Sequence, residues 1–265
     1  MTPGVIRLRG AVGGTVICGV ADAPGAPVRV VVDHLAPTPA ETGVVHPWDS
    51  VRLLAPLRPR TVVAFAKNYA DHAAEMGGVA PAEPVFFLKP PASVIGPGDA
   101  IELPASSALV HHEAELAVVI GATARDLPPE HAARAVVGYT CANDVSARDF
   151  QARDGQWGRA KGFDTFCPLG PWIAELHGLA DLPPAATVDV SCTVNGELRQ
   201  HGATADLLYS VAELIAFTSA VFTLEPGDVI LTGTPAGVGP LAAGDEVAVT
   251  IGGIGTLTNG VRRRD

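Results

Sequence analysis

The stretch His111-His112-Glu113-Ala114-Glu115-Leu116-Ala117-Val118-Val119-Ile120 carries most of what this sequence says about itself. Its apolar second half reads as a β-strand heading into a core. Residues two apart on a strand point to the same side, so Glu113 and Glu115 project together just before the apolar run. Two carboxylates held side by side repel unless a cation lies between them. Hard cations such as Mg2+ take carboxylate oxygen at about 2.1 Å and keep positions for water or substrate. The bland alternative is an exposed strand end with two solvated glutamates, and the spacing alone does not choose between them.

A third acid shifts the balance. Val136-Val137-Gly138-Tyr139-Thr140-Cys141-Ala142 reads as another buried strand, and Asn143-Asp144 follows at its end. Asp144 is then placed to meet the glutamate pair on a neighbouring strand, although a turn-forming Asp is also common. Three carboxylates on one divalent ion leave about three of six octahedral positions for a chelating ligand such as a 2-oxo acid.

Other segments carry groups suited to chemistry. In Asn68-Tyr69-Ala70-Asp71-His72-Ala73-Ala74-Glu75, His72 and Glu75 are three apart, hence neighbours on one helix face. A carboxylate beside an imidazole fixes its tautomer and raises its basicity, as a general base requires. Gly77-Gly78 follows, so this helix could open a mobile lid over 70–82. Arg148 and Lys161 could each bind a carboxylate or stabilise developing negative charge. Thr232-Gly233-Thr234-Pro235-Ala236-Gly237-Val238-Gly239 lacks the Walker lysine and the GxGxxG frame, so nucleotide binding is a weak reading. Its backbone N–H groups could hold a substrate carboxylate.

Composition narrows the class. The 265 residues are 48% hydrophobic and 17% charged, which argues for a folded core. Aromatic residues are 5%, with 29 glycines and 23 prolines, a balance that favours short strands and tight turns. The net charge of −10 disfavours nucleic acid and anionic lipid as partners. Arg262-Arg263-Arg264 is too short for a nucleic-acid arm and reads as a solvated tail. Cys18, Cys141, Cys167 and Cys192 form no CxxC pair and read as reduced core residues of a cytosolic protein. Gly13-Gly14 interrupts the N-terminal apolar stretch, which reads as two strands about a turn and not as a signal peptide. No apolar run approaches a membrane span.

The expected fold is mixed α/β and β-rich, with a small β-rich domain over residues 1–57 and a catalytic domain over 58–265. Pro56-Leu57-Arg58-Pro59 reads as the linker. Strands are expected near 4–9, 14–20, 27–33, 85–88, 115–120, 136–142, 187–194, 228–232 and 246–251. Asn195-Gly196 signals a hairpin turn. The clearest helix covers about 211–222, opened by a Ser210/Glu213 capping box.

Taken in order, NYADHAAE at 68–75, FFLKPPASVIGPGDAI at 86–101, HHEAELAVVIG at 111–121 and GYTCANDVSARDFQ at 138–151 resemble the fumarylacetoacetate hydrolase family. KGFDTFCPLGPWI at 161–173, VNGELRQ at 194–200 and LEPGDVILTGTPAGVG at 224–239 continue the resemblance. It implies a mixed β-roll core and a homodimer. It implies Mg2+ or Mn2+ held by Glu113, Glu115 and Asp144, and a His72–Glu75 dyad on a lid with Lys161 as the active-site lysine. Arg148, Gln151 and Thr234 match substrate-contacting positions. Tyr69 and Lys67 flank the dyad segment, and a basic residue at 67 could contact a substrate carboxylate. The implied substrate is a small anionic 2-oxo acid. The leading expectation is hydrolysis of an acylpyruvate or fumarylpyruvate to pyruvate plus a carboxylic acid. Oxaloacetate decarboxylation, isomerisation of a 2-hydroxyhepta-2,4-diene-1,7-dioate, and a non-catalytic binder on the same scaffold stay open.

Overall fold

The computed structural model describes residues 5–75, 77, 79–181 and 184–264. Among them the dominant feature is one large mixed sheet. Its strands run in the spatial order Glu41–His46, Val28–Val31, Thr15–Ala21, Ile6–Val12, Cys167–Ala174, Val136–Asn143, Ala114–Ile120, Val229–Leu231, Val62–Ala66, Val85–Lys89. Most neighbours are antiparallel, but Val229–Leu231 and Val62–Ala66 run parallel. A five-stranded sheet from Glu197–Ala203 to Ile101–Leu103 covers part of it, and a short three-stranded sheet includes Val110–His112.

Both faces of the central strands are buried, which is why they read as continuous apolar runs. Leu116, Val118 and Ile120 enter one core cluster and Ala117 and Val119 the other. The strand Val62–Ala66, one strand further along the sheet, alternates likewise, with Val63 and Phe65 on one side and Val62 and Ala64 on the other.

Local signals in the sequence have their expected counterparts. Asn195 and Gly196 adopt φ of 53° and 80°, the left-handed pair of a two-residue hairpin, and join Asp189–Val194 to Glu197–Ala203. The helix Val211–Val221 is capped reciprocally by Ser210 and Glu213. The N-terminal strands attach to the rest through two residue pairs, Ile6↔Ala174 and Arg7↔Ile173. The Arg7 guanidinium reinforces that seam by donating to Glu175 and to the carbonyls of His34 and Ala36.

One expectation is corrected. Arg262 and Arg263 end the strand Gly255–Arg263, paired in parallel with Ile101–Leu103. Arg262 lies against Glu102 and Arg264 against Asp164, so this end is docked and not a free tail. The expected lid begins as the short helix Ala70–Glu75. Gly77 turns after it with φ of 70°, while Met76 and Gly78 lie outside the described residues. No helix among the described residues is long and apolar enough to cross a membrane.

Candidate active site

Sheet register brings the three acids together. The strands Ala114–Ile120 and Val136–Asn143 are antiparallel, with Ala114 opposite Asn143 and Glu115 opposite Ala142. One step further out, the Asp144 N–H donates to the Glu113 carbonyl at 2.8 Å, placing those residues opposite each other. Glu115 follows Glu113 by two and so shares its side. Carboxylate oxygens of Glu113, Glu115 and Asp144 all lie within 4.8 Å of one another. The solvated-glutamate alternative fails, because Glu113 is 4% exposed and Glu115 and Asp144 are 1% exposed.

Three cations answer these acids. Lys161 Nζ donates to Glu113 Oε2 at 2.7 Å and to Asp144 Oδ2 at 2.6 Å. Arg148 Nη2 lies 2.6 Å from Glu113 Oε1. That contact is a charge pairing without hydrogen-bond alignment, since Nη2 has no aligned acceptor. The third cation, Lys89, carries no functional signal in the sequence. Its Nζ donates to Asp144 Oδ1 and to the Lys161 carbonyl, both at 2.5 Å.

The balance of charge is uneven. Burial opposes ionisation of Glu113, but Lys161 and Arg148, with His72, outweigh it and hold its carboxyl well below the ordinary range. Glu115 has no cation bonded to it. Burial, then Asp144 and Glu113, push its carboxyl well above the usual value, although the Gly233 N–H donates to it at 2.6 Å. A cluster with one acid left uncompensated suits a divalent cation. In a Mg2+ shell with bonds of about 2.1 Å, ligand oxygens stand about 3.0 Å apart when cis and about 4.2 Å when trans, so the three donors would draw together to share one ion. Lys161 Nζ stands between two of these acids and would have to yield to an ion there.

These acids adjoin a cleft of about 580 Å3, lined by Glu113, Glu115, His72, Arg148, Gln151, Lys161, Lys67 and Thr234. Phe65, Phe87, Leu109 and Trp157 give it an apolar wall. Asp144 sits behind this lining, tied to both lysines. His72 Nδ1 lies 3.1 Å from Glu75 Oε2, and the other Glu75 oxygen accepts the Gly237 N–H at 3.0 Å. Glu75 thus fixes the imidazole and tethers the helix to the 232–239 loop. With Nδ1–H donating to Glu75, Nε2 is left as the basic nitrogen.

Not every expected residue meets the cleft. Tyr69 lines a separate cavity of about 270 Å3 with His201 and Asp206. Its backbone bridges to Leu207 and its ring lies beside Gly202 and Pro235, while burial and then the Glu115 and Asp206 carboxylates raise the pKa of its hydroxyl. Its buried hydroxyl has no hydrogen-bond partner. In the glycine-rich loop, the N–H groups of Gly233 and Gly237 serve Glu115 and Glu75 in place of the substrate carboxylate expected there.

Two polar residues unremarked in the sequence hold the frame. Gln200 accepts from the Ala114 N–H at 3.0 Å, meets His112 Nδ1 at 2.9 Å, and donates to Thr234 Oγ1 and the Pro235 carbonyl, both at 2.7 Å. Asn68 donates to the Thr232 and Tyr209 carbonyls and accepts the Tyr209 N–H. Neither has a local signal, because every partner is remote in sequence. His111 lines the cleft with a pKa lowered to about 4, by burial first and then by Arg148 and His112.

A family model described as "Fumarylacetoacetate (FAA) hydrolase C-terminal" matches residues 61–262. The chain belongs to the fumarylacetoacetate hydrolase family. Among family relatives, Protein Rv2993c of Mycobacterium tuberculosis is 52% identical over 236 residues, covering 89% of this chain and 88% of its own. Oxaloacetate tautomerase YcgM of Escherichia coli is 45% identical over 212 residues, covering 78% and 94%. A crystal structure of 5-carboxymethyl-2-hydroxymuconate delta-isomerase from Mycobacterium smegmatis superposes with a TM-score of 0.89 at 48% identity, covering 98% of this chain and 100% of that one.

Proposed function

We propose that this member of the family interconverts keto and enol forms of a small 2-oxo acid by moving a proton at the carbon beside the 2-oxo group. One observation carries the reading: His72, clamped by Glu75, lines the same cleft as Glu113 and Glu115. A divalent cation held by Glu113, Glu115 and Asp144 would supply Lewis-acid polarisation of the 2-oxo oxygen. In the keto-to-enol direction His72 Nε2 takes the proton from C3 as the C2–C3 double bond forms and delivers it to the 2-oxo oxygen. The reverse direction moves the enol O–H proton back to C3, and Glu75 stabilises the imidazolium formed in between. Lys161 sets a positive charge near the oxygen that becomes negative. The wall of Phe65, Phe87, Leu109 and Trp157 limits water around the exposed enol. The names of the E. coli and M. smegmatis relatives, a tautomerase and a delta-isomerase, support proton transfer of this kind.

Hydrolysis of an acylpyruvate to pyruvate and a carboxylic acid is the second reading. There His72 would deprotonate a water that attacks the 4-carbonyl. The apolar wall favours it, because it offers room for an acyl tail.

The test is purified protein with oxaloacetate, acetylpyruvate, fumarylpyruvate and an oxo-heptenedioate, with and without Mg2+. Enol decay faster than release of pyruvate or CO2 supports tautomerisation; rapid pyruvate release from acetylpyruvate supports hydrolysis. His72→Ala is expected to lower turnover by about 10²–10⁴-fold while metal uptake survives. Activity that persists in this variant overturns the dyad assignment.

A further inference from the structure

A cavity of about 480 Å3 lies where the N-terminal strands meet the rest of the chain, and it shares no lining residue with the cleft. Arg9, on the strand Ile6–Val12, and Arg58, in the stretch between Pro56 and Pro59, both line it. The Arg9 guanidinium donates to the Ala55 carbonyl at 3.1 Å, and among the described residues no carboxylate lies within ion-pair distance of Arg9 or Arg58. Asp99 also lines the cavity, but its Oδ2 accepts the Gly96 N–H at 2.9 Å. Burial, and then the Arg58 charge, lower the Arg9 pKa, as expected of like charges held together without an anion. The walls are fixed. His34 Nε2 meets the Pro56 carbonyl at 2.7 Å, and Gly96 packs so closely that a Cβ there would lie 2.3 Å from the Ala55 nitrogen.

We propose that this cavity binds a phosphate monoester, with the phosphate between Arg9 and Arg58 and the organic part against Leu54, Val94 and Ile95. A guanidinium presents paired N–H donors that match phosphate oxygens, and it stays charged at any physiological pH. Two of them balance a phosphate dianion, whereas a carboxylate leaves one positive charge over. Leu54, Val94 and Ile95 are partly exposed and offer a surface that a bare ion does not use. The ligand bridges the N-terminal strand of Arg9 and the segment that carries Val94 and Ile95, so its binding stabilises that junction. The site is independent of the proposed keto–enol activity, which uses none of these residues.

The experiment is calorimetric titration of the full chain with phenyl phosphate and with benzoate, in buffer above the second phosphate pKa of about 6. Wild type, Arg9→Gln, Arg58→Gln and Arg58→Lys are compared. Wild type is expected to take up one equivalent of phenyl phosphate and to bind benzoate far more weakly. Each Gln variant is expected to lose roughly 10- to 100-fold in phenyl phosphate affinity, the worth of one charge-assisted hydrogen bond. Arg58→Lys should recover part of the loss, since it keeps the charge without the paired donors. Arg58 is exposed, so its variants carry the test should Arg9→Gln fold poorly, with the melting midpoint as the check. Enol decay of oxaloacetate should be unchanged in the Arg58 variants, which places the lost binding outside the cleft. No uptake by wild type, benzoate bound as tightly as phenyl phosphate, or undiminished affinity in Arg58→Gln overturns the inference and leaves the proposed activity standing.

Discussion

Lys89→Met tests the electrostatic account of the site more sharply than removal of any acid. Lys89 and Asp144 are each 1% exposed, and their charged atoms are 2.5 Å apart. The ammonium also satisfies the Lys161 carbonyl at 2.5 Å, so it holds in place the backbone of the lysine that bridges Glu113 and Asp144. Removing one partner from a buried pair typically costs about 3–5 kcal/mol, because the other charge is left without compensation. Here Asp144 keeps Lys161 as a second partner, and methionine fills most of the vacated volume. The lower end, about 3 kcal/mol, is therefore expected. For a chain of this size each kcal/mol moves the melting midpoint by about 2–4 °C, so a fall of about 6–12 °C follows. The assay is thermal unfolding with and without excess Mg2+. Without Lys89 the cluster is more negative by one charge, so a divalent cation binds it more tightly and stabilises the variant by mass action. The gap between variant and wild type should narrow as Mg2+ is added. A midpoint within about 2 °C of wild type, or a gap that widens with Mg2+, would refute the charge balance drawn here.

Two further outcomes are expected. Burial, then Asp144 and Glu113, raise the Glu115 pKa in the fold. The metal-free protein should therefore be favoured most below the ordinary carboxylate value and lose that contribution as pH rises through the raised one. Metal uptake should release a proton and tighten with pH, read by calorimetric titration in buffers of different ionisation enthalpy; pH-independent affinity would contradict it. Gly237→Ala should destabilise far more than Gly244→Ala. Both glycines have φ near +100°, but a Cβ at 237 would lie 2.0 Å from the Arg199 carbonyl oxygen whereas one at 244 meets nothing within 4 Å. The control should cost about 1–2 kcal/mol of backbone strain alone, and equal melting midpoints for the two variants would show that the 232–239 loop absorbs the clash.

What the sequence makes legible has a physical pattern. Alternation, capping and turn chemistry are local, so the hairpin at Asn195-Gly196, the helix after Ser210 and the strand after Glu113 can be read by inspection. The acidic cluster is half-local. The i,i+2 spacing places Glu113 and Glu115 on one side, but nothing local states that Asp144 lies opposite Glu113; that follows from register, once the two strands are known to be neighbours. Lys89 is illegible by the same logic. It sits in an apolar strand end before two prolines, and its partner is 55 residues away. Tyr69 lines a separate cavity, because its backbone bridges to Leu207 as the chain enters the helix Ala70–Glu75.

The residues that were hidden share a chemical trait with those that were visible. Lys89, Gln200 and Asn68 are 1–2% exposed polar side chains whose hydrogen bonds all cross between segments. Burying such groups is unfavourable unless each finds its partners, and a partly satisfied network would be worse than an apolar core. Their presence ties the 68–75 segment, the 232–239 loop and the strand at Glu113 into one frame, so that neither the imidazole nor the acids can shift alone. Preorganised proton transfer requires that property, because a base displaced by an ångström loses much of its effect. In the proposed reaction the acids and the imidazole would supply the chemistry, and this polar frame would hold them at working distance. Substitutions in the frame should therefore depress turnover without touching a substrate atom.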